Sequence, residues 1–126
     1  MAEFSWPLRV YWEDTDAGGI VFYANYLRYF ERARTEWLRA AGVQQQALPV
    51  LFVVTETRTR YLKPARLDDL LRITVARHTE HAAERASLSL IQRAWRGDDL
   101  LAEAEVRIAC VDRQTMRPKR IPIELP

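Results

Sequence analysis

One cysteine, Cys110, stands in 126 residues, so no disulfide can form within the chain and a reducing compartment is the simpler expectation. Histidine is almost as scarce: His78 and His81 sit three apart, and metal binding is not expected there. No apolar run approaches the roughly 20 residues that a membrane helix requires. The segment Met1 to Pro7 lacks the basic start and apolar stretch of a signal peptide. Charge of one sign is lacking too: 19 basic against 17 acidic residues leave a net +2, which does not suggest a dedicated nucleic-acid binder. These absences lead to the expectation of a soluble, cytoplasmic protein with no metal, no cofactor and no transmembrane segment.

What is present falls into periodic segments. Leu8, Val10 and Trp12 alternate with Arg9, Tyr11 and Glu13, the period of a strand with one buried face. An irregular stretch from Asp14 to Gly19 follows, where paired glycines allow backbone angles that other residues resist. From about Tyr23 to Ala41 the period becomes helical. Tyr26, Phe30, Ala33, Trp37 and Ala41 share one stripe, widened by Leu27, Tyr29, Leu38 and Ala40. Gly42 is placed to close the helix in a left-handed conformation.

Further strands are expected over 51–62, 70–77 and 86–95, with Gly97-Asp98 as a hairpin turn. Leu100, Ala102, Ala104, Val106, Ile108 and Cys110 form one more apolar face, and a short last strand is expected near Ile121. One strand, one long helix and a succession of antiparallel strands make an α+β layer architecture. Without a repeat, low-complexity tract or linker, residues 1–126 read as one domain.

The densest chemical signal is Tyr11-Trp12-Glu13-Asp14-Thr15-Asp16-Ala17-Gly18-Gly19-Ile20-Val21-Phe22-Tyr23-Ala24-Asn25-Tyr26. It sets two carboxylates and a glycine pair just ahead of a helix start, where unpaired N–H groups and a partial positive charge are presented. A carbonyl held there is polarised, and a nearby carboxylate can attack it or activate a water. Those parts suffice for acyl transfer without a Ser-His-Asp triad. The same residues also read as an ordinary loop and helix cap. A calcium loop counted from Asp14 fails, because its twelfth position is Asn25 and not Glu.

The stretch Val10 to Arg39, with that motif and Phe30-Glu31-Arg32-Ala33-Arg34-Thr35-Glu36, resembles the 4-hydroxybenzoyl-CoA thioesterase family, and within it the Tol-Pal-associated acyl-CoA thioesterases. The likeness continues through Tyr61-Leu62-Lys63-Pro64-Ala65-Arg66-Leu67-Asp68-Asp69 and Ala102 to Val106. The resemblance implies a hotdog fold, a homodimer or homotetramer with sheets joined edge to edge, and active sites between subunits. It implies that Asp16 is the catalytic carboxylate, that Gly19 belongs to the turn where substrate approaches, and that the Tyr23 backbone N–H polarises the thioester carbonyl. Many Tol-Pal-associated members carry histidine where this chain has Tyr23. A backbone role survives that exchange; a side-chain acid–base role at neutral pH does not, since tyrosine titrates near ~10.

Three other features bear on function. Cys110 alternates with apolar neighbours and reads as a buried structural thiol. Arg34 falls inside the apolar arc of the helix, either snorkelling to its edge or pairing to fix the helix against the first strand. Arg113, Arg117, Lys119 and Arg120 form a basic cluster, either a solvated face or a grip on coenzyme A phosphates, with Arg113, Lys119 and Arg120 as the candidate contacts. The expected activity is metal-independent hydrolysis of acyl-CoA, with acyl carrier protein as an alternative carrier. The rivals are a hotdog scaffold that binds acyl carrier protein and a hotdog hydratase. The intact Asp16 and glycine pair speak against the first, and the lack of a histidine near the motif against the second.

Overall fold

The computed structural model describes residues 3–78 and 85–126. β1 (Phe4–Arg9), α1 (Asn25–Ala40), β2 (Val50–Tyr61), β3 (Leu70–Arg77), β4 (Ser87–Arg96) and β5 (Asp99–Asp112) follow in chain order. The strands form one antiparallel sheet, ordered β1-β3-β4-β5-β2, and α1 packs on β3, β1 and β4. One long helix against a single antiparallel sheet is the hotdog arrangement.

Alternation decides which face is buried. Leu71, Ile73 and Val75 of β3, Leu88, Leu90 and Ala94 of β4, and Ala102, Ala104, Val106 and Ile108 of β5 meet Tyr26, Tyr29, Phe30, Ala33 and Trp37 of α1 in one core. Cys110 is buried with them; burial pushes its thiol pKa up against the lowering effect of Lys119, which disfavours the thiolate. Fully buried Gln92 is polar in the middle of that core, and both ends of its amide are used. Its Oε1 accepts from Arg34 Nη1 at 2.8 Å, and its Nε2 donates to the Phe30 carbonyl at 2.9 Å. Arg34 therefore fixes α1 to β4, not to the first strand.

Several boundaries differ from the sequence reading. The first strand starts and ends earlier, and Trp12–Asp14 form a 3₁₀ turn that leaves Trp12 79% exposed. The helix begins at Asn25, and Leu27, Ala40 and Ala41 lie outside its buried stripe. Near Ile121 there is no strand. Val111 bridges Pro118 and the Ile121 N–H meets the Arg85 carbonyl, so this segment is tied to the sheet by single bonds.

The helix ends as its glycine requires. Gly42, at φ 81°, donates to the Arg39 carbonyl and Val43 to the Leu38 carbonyl, the two bonds of a Schellman motif, while Val43 packs against the core. Gly97, at φ 59°, occupies the first position of the two-residue turn between β4 and β5. Among the described residues, no helix is long and apolar enough to cross a membrane, and no three metal-ligating side chains converge. His78 lies 3.5 Å from Glu105, and His81 falls outside the described residues.

Candidate active site

The segment between β1 and α1 is a small hairpin. Thr15 bridges Val21, Asp16 N–H donates to the Ile20 carbonyl at 2.9 Å, and Gly19 N–H donates back to the Asp16 carbonyl at 3.0 Å. Asp16-Ala17-Gly18 turns the chain and Gly19, at φ 80°, completes the reversal in the left-handed region. The Asp16 side chain closes its own turn: Oδ1 accepts the Gly18 N–H at 2.8 Å. No other hydrogen bond engages that carboxylate among the described residues, so Oδ2 is uncommitted on an exposed residue.

Asp14, two residues earlier, has the opposite fate. It is 5% exposed, its Oδ2 accepts the Tyr11 N–H at 2.8 Å and its Oδ1 accepts Asn25 Nδ2 at 2.9 Å. The Asp14 carbonyl also takes the Phe22 N–H. Asp14 thus ties the entry of the hairpin to the first residue of α1. The Tyr29 hydroxyl lies near this pair without a well-formed bond to it; burial and then the Asp14 charge push its pKa up, which keeps the phenol neutral. With Asp14 turned in and Asp16 turned out, the two carboxylates do not form a shared cation site.

Residues 64–69 form the platform beneath the hairpin. Val21 N–H donates to the Ala65 carbonyl at 2.8 Å, Ile20 bridges Arg66, and Val10 N–H donates to the Asp69 carbonyl at 2.9 Å. Arg96 of β4 pins the platform through the Pro64 carbonyl and the Asp69 carboxylate. Burial of Asp69 opposes ionisation, but bonds from the Arg66 N–H and Arg96 outweigh it and hold the carboxyl below its ordinary range. Asn25 and the platform were not singled out as site residues by sequence reasoning. The likeness through Tyr61 to Asp69 was the signal that could have found the platform.

The helix start lies beside the hairpin. Asn25 N–H bonds the Phe22 carbonyl and Leu27 N–H bonds the Ala24 carbonyl. The N–H groups of Tyr23 and Ala24 donate to no described residue. Tyr23 itself is exposed; its carbonyl accepts the Tyr61 hydroxyl at 3.0 Å, and its ring meets those of Phe22 and Tyr61. Asp16, Gly19 and Tyr23 are therefore brought to one hairpin and the turn that leaves it. A cleft of about 360 Å³ lies elsewhere, between the middle of α1 and the start of β2, lined by Arg34, Trp37, Leu38, Phe52 and Val53. A second, about 230 Å³, continues it along α1 to Leu27, one helical turn from Tyr23.

The C-terminal basic residues lie at the far end of the sheet from Asp16. Tyr61 pairs with Ala102, and Val50 pairs with Asp112, so ten residues of β5 separate the two ends, about 33 Å of extended strand. Arg113 is occupied there: Nε bonds the Leu48 carbonyl and Nη2 those of Gln45 and Val50. Lys119 Nζ is 3.4 Å from Asp112, whose carboxyl is held low by the Thr115 and Gln114 N–H groups. Arg120 is exposed and has no ion-pair partner among the described residues.

Comparison with known proteins identifies the family. The model of the thioesterase-like superfamily matches residues 10–125. The acyl-CoA thioester hydrolase YbgC of Escherichia coli O6:H1 is 48% identical over 124 residues, covering 94% of this chain and 90% of that protein. The acyl-CoA thioesterase YbgC of Haemophilus influenzae is 44% identical, covering 97% and 90%. A probable thioesterase from Bartonella henselae superposes with a TM-score of 0.88 at 32% identity, covering 96% of this chain and all of that one. A match across nearly the whole chain, in sequence and in fold, places this protein in the thioesterase-like superfamily.

Proposed function

We propose that this chain hydrolyses acyl-CoA thioesters to free acid and CoA, with Asp16 as nucleophile or general base and the Tyr23 N–H polarising the carbonyl. One observation carries the reading. A single short segment holds an outward carboxylate with an uncommitted oxygen and a helix start whose Tyr23 and Ala24 N–H groups have no acceptor among the described residues. A thioester oxygen accepting there gains the stabilisation that backbone donors and the helix dipole give to developing negative charge.

Attack by the Asp16 carboxylate forms a mixed anhydride and expels the CoA thiolate, which takes up a proton; water then cleaves the anhydride and restores the carboxylate. As a base, Asp16 instead takes a proton from water as that water attacks the carbonyl. Either route consumes one water and yields one acid and one thiol. Gly19 supports both: its turn sets Asp16 at the tip, and a side-chain position there meets nothing within 4 Å, leaving room for substrate. The apolar cleft along α1 starts one turn beyond Tyr23 and suits the acyl chain. The relatives named as acyl-CoA hydrolases support CoA as the carrier.

A lone chain leaves this chemistry open to water, because Trp12, Tyr23, Phe22 and Tyr61 around it are all exposed. A second copy paired along the free edge of β2 would cover it. Across a twofold axis near the middle of β2, the Val50 end of one copy meets the Tyr61 end of the other. That arrangement carries the partner's Lys119 and Arg120 toward the Asp16 site, where they would hold the CoA phosphates. Arg113, already bound to three carbonyls, would act mainly by bracing that corner.

The test is thiol release from a panel of short, long and aromatic acyl-CoAs by the wild type and by Asp16→Asn. The substitution keeps size and hydrogen bonding but removes the charge, and kcat should fall by at least ~10² with the fold intact. Near-normal turnover by Asp16→Asn would end the assignment.

A further inference from the structure

The Tyr23 carbonyl lies one residue ahead of Ala24, the N-cap of α1, and so stands outside the helical ladder. The Leu27 N–H goes to the Ala24 carbonyl at 3.2 Å. The phenol of Tyr61, the last residue of β2, takes the Tyr23 carbonyl at 3.0 Å. The Tyr61 ring is held for this task by edge contacts to Tyr23, with centroids 6.1 Å apart, and to Tyr26, 5.6 Å apart. The Tyr61 pKa is raised, first by burial and then by Tyr23, so the hydroxyl stays a donor at neutral pH.

A carbonyl and the following N–H belong to one rigid peptide plane. Fixing the Tyr23 carbonyl therefore fixes the direction of the Ala24 N–H, which has no acceptor among the described residues. A hydrogen bond to the carbonyl also polarises the amide and makes its N–H a better donor. Asp14 and Asn25 hold the hairpin and the helix start but donate nothing to the Tyr23 carbonyl, whose donor is the Tyr61 hydroxyl.

We propose that Tyr61 is a positioning residue of the active site: it orients and polarises the Tyr23–Ala24 peptide, so that the Ala24 N–H joins the Tyr23 N–H as a second donor to the thioester carbonyl. The inference rests on the reading that the carbonyl docks at the start of α1, and it adds a second donor and the side chain that aims it. The phenol acts through the backbone and need not touch the substrate.

Tyr61→Phe keeps both ring contacts and removes only the hydrogen bond. Its kcat should fall ~5- to 20-fold, less than the ~10² or more lost when an oxyanion donor is deleted outright. KM for acyl-CoA should stay within about twofold and the thermal midpoint should be nearly unchanged. A direct readout is the infrared carbonyl stretch of ¹³C-labelled acyl-CoA bound to the slow Asp16→Asn protein. The stretch should lie below its frequency in free acyl-CoA, and in Asp16→Asn/Tyr61→Phe it should move back part of the way. An equal shift with and without the Tyr61 hydroxyl, or an unchanged kcat in Tyr61→Phe, overturns the role of Tyr61 while leaving the docking site standing. No shift in Asp16→Asn itself overturns both, because the carbonyl would then not be held at the start of α1.

Discussion

Two aspartates separated by one threonine differ here in every physical respect. Asp14 is buried and accepts two hydrogen bonds; Asp16 is exposed and spends one oxygen on its own turn. Asp14→Ala would strand the Tyr11 N–H and the Asn25 amide, and should cost about 3 kcal/mol, in the range for bonds to a charged acceptor and the donors left behind. Denaturant unfolding at fixed protein concentration would measure it, and a loss below ~1 kcal/mol would contradict the structural role. Asp16 is probed more gently through its neighbour. A Cβ at Gly18 would sit 3.2 Å from Asp16 Oδ1, so Gly18→Ala must push the carboxylate aside by a few tenths of an ångström. The expected result is a ~10-fold lower kcat with stability retained, short of the ~10² that a full 1 Å misplacement can cost. Unchanged kcat in Gly18→Ala would mean that the position of the carboxylate does not matter to the chemistry. Spacing alone did not separate the two acids. Which one turns inward depends on the 3₁₀ turn at Trp12–Asp14, where an alternating pattern had suggested continued strand. Tyr61 was illegible for a related reason, since its partner is a backbone carbonyl 38 residues away, and backbone groups leave no trace in composition.

At the scale of elements, legibility followed the strength of the local pattern. β3 was readable to the residue because Leu71, Ile73 and Val75 alternate without interruption. β1 was not, because Pro7 sits within it; a proline is tolerated there since β1 is an edge strand, paired only with β3. The end of α1 was readable because Gly42 supplies the positive φ that a Schellman cap needs. Its start was not, because Ala24 offers no capping side chain, and the first turn is organised by Asp14, Asn25 and Tyr61 instead. Gly42→Ala tests the cap. An L-residue at φ 81° should destabilise the protein by about 1 kcal/mol, the usual cost of a left-handed conformation. Nothing lies within 4 Å of the added Cβ, so the loss would be conformational and not steric. Activity should be unaffected at temperatures where the protein stays folded, because this end of the helix is 19 residues from Tyr23. A thermal midpoint equal to that of the wild type would show that the cap relaxes freely.

For the molecule as a whole, the two sheet edges are unequal. β1 spans six residues and contains Pro7, whereas β2 spans twelve with no proline, so β2 is the edge that invites pairing. Light scattering at micromolar concentration should therefore find no active particle of 14.7 kDa, the mass of one chain. The stronger prediction concerns which chain serves which site. Asp16 and the Lys119–Arg120 pair lie toward opposite ends of the β2–β5 ladder in one chain, whose span from Ala102 to Asp112 is about 33 Å. Pairing of β2 with its copy would join the acid of one chain to the cations of the other. Lys119→Ala/Arg120→Ala should then raise KM for acyl-CoA and leave kcat nearly alone, because the phosphates are bound equally in ground and transition states. The effect should grow at low salt and vanish for an acyl-pantetheine thioester, which lacks those phosphates. Asp16→Asn alone should be almost inactive. In a mixed dimer of these two variants, one site combines both defects and the other combines an intact Asp16 with an intact Lys119 and Arg120. Refolding equal amounts of the variants together with random pairing should thus give about a quarter of all sites the wild-type KM, beside the raised KM of the Lys119→Ala/Arg120→Ala homodimers. If the whole active fraction keeps the raised KM of Lys119→Ala/Arg120→Ala, each chain's acid works with its own cations, and the edge-paired arrangement is wrong. If that double variant has an ordinary KM from the outset, the C-terminal cluster is a solvated face and coenzyme A is held elsewhere.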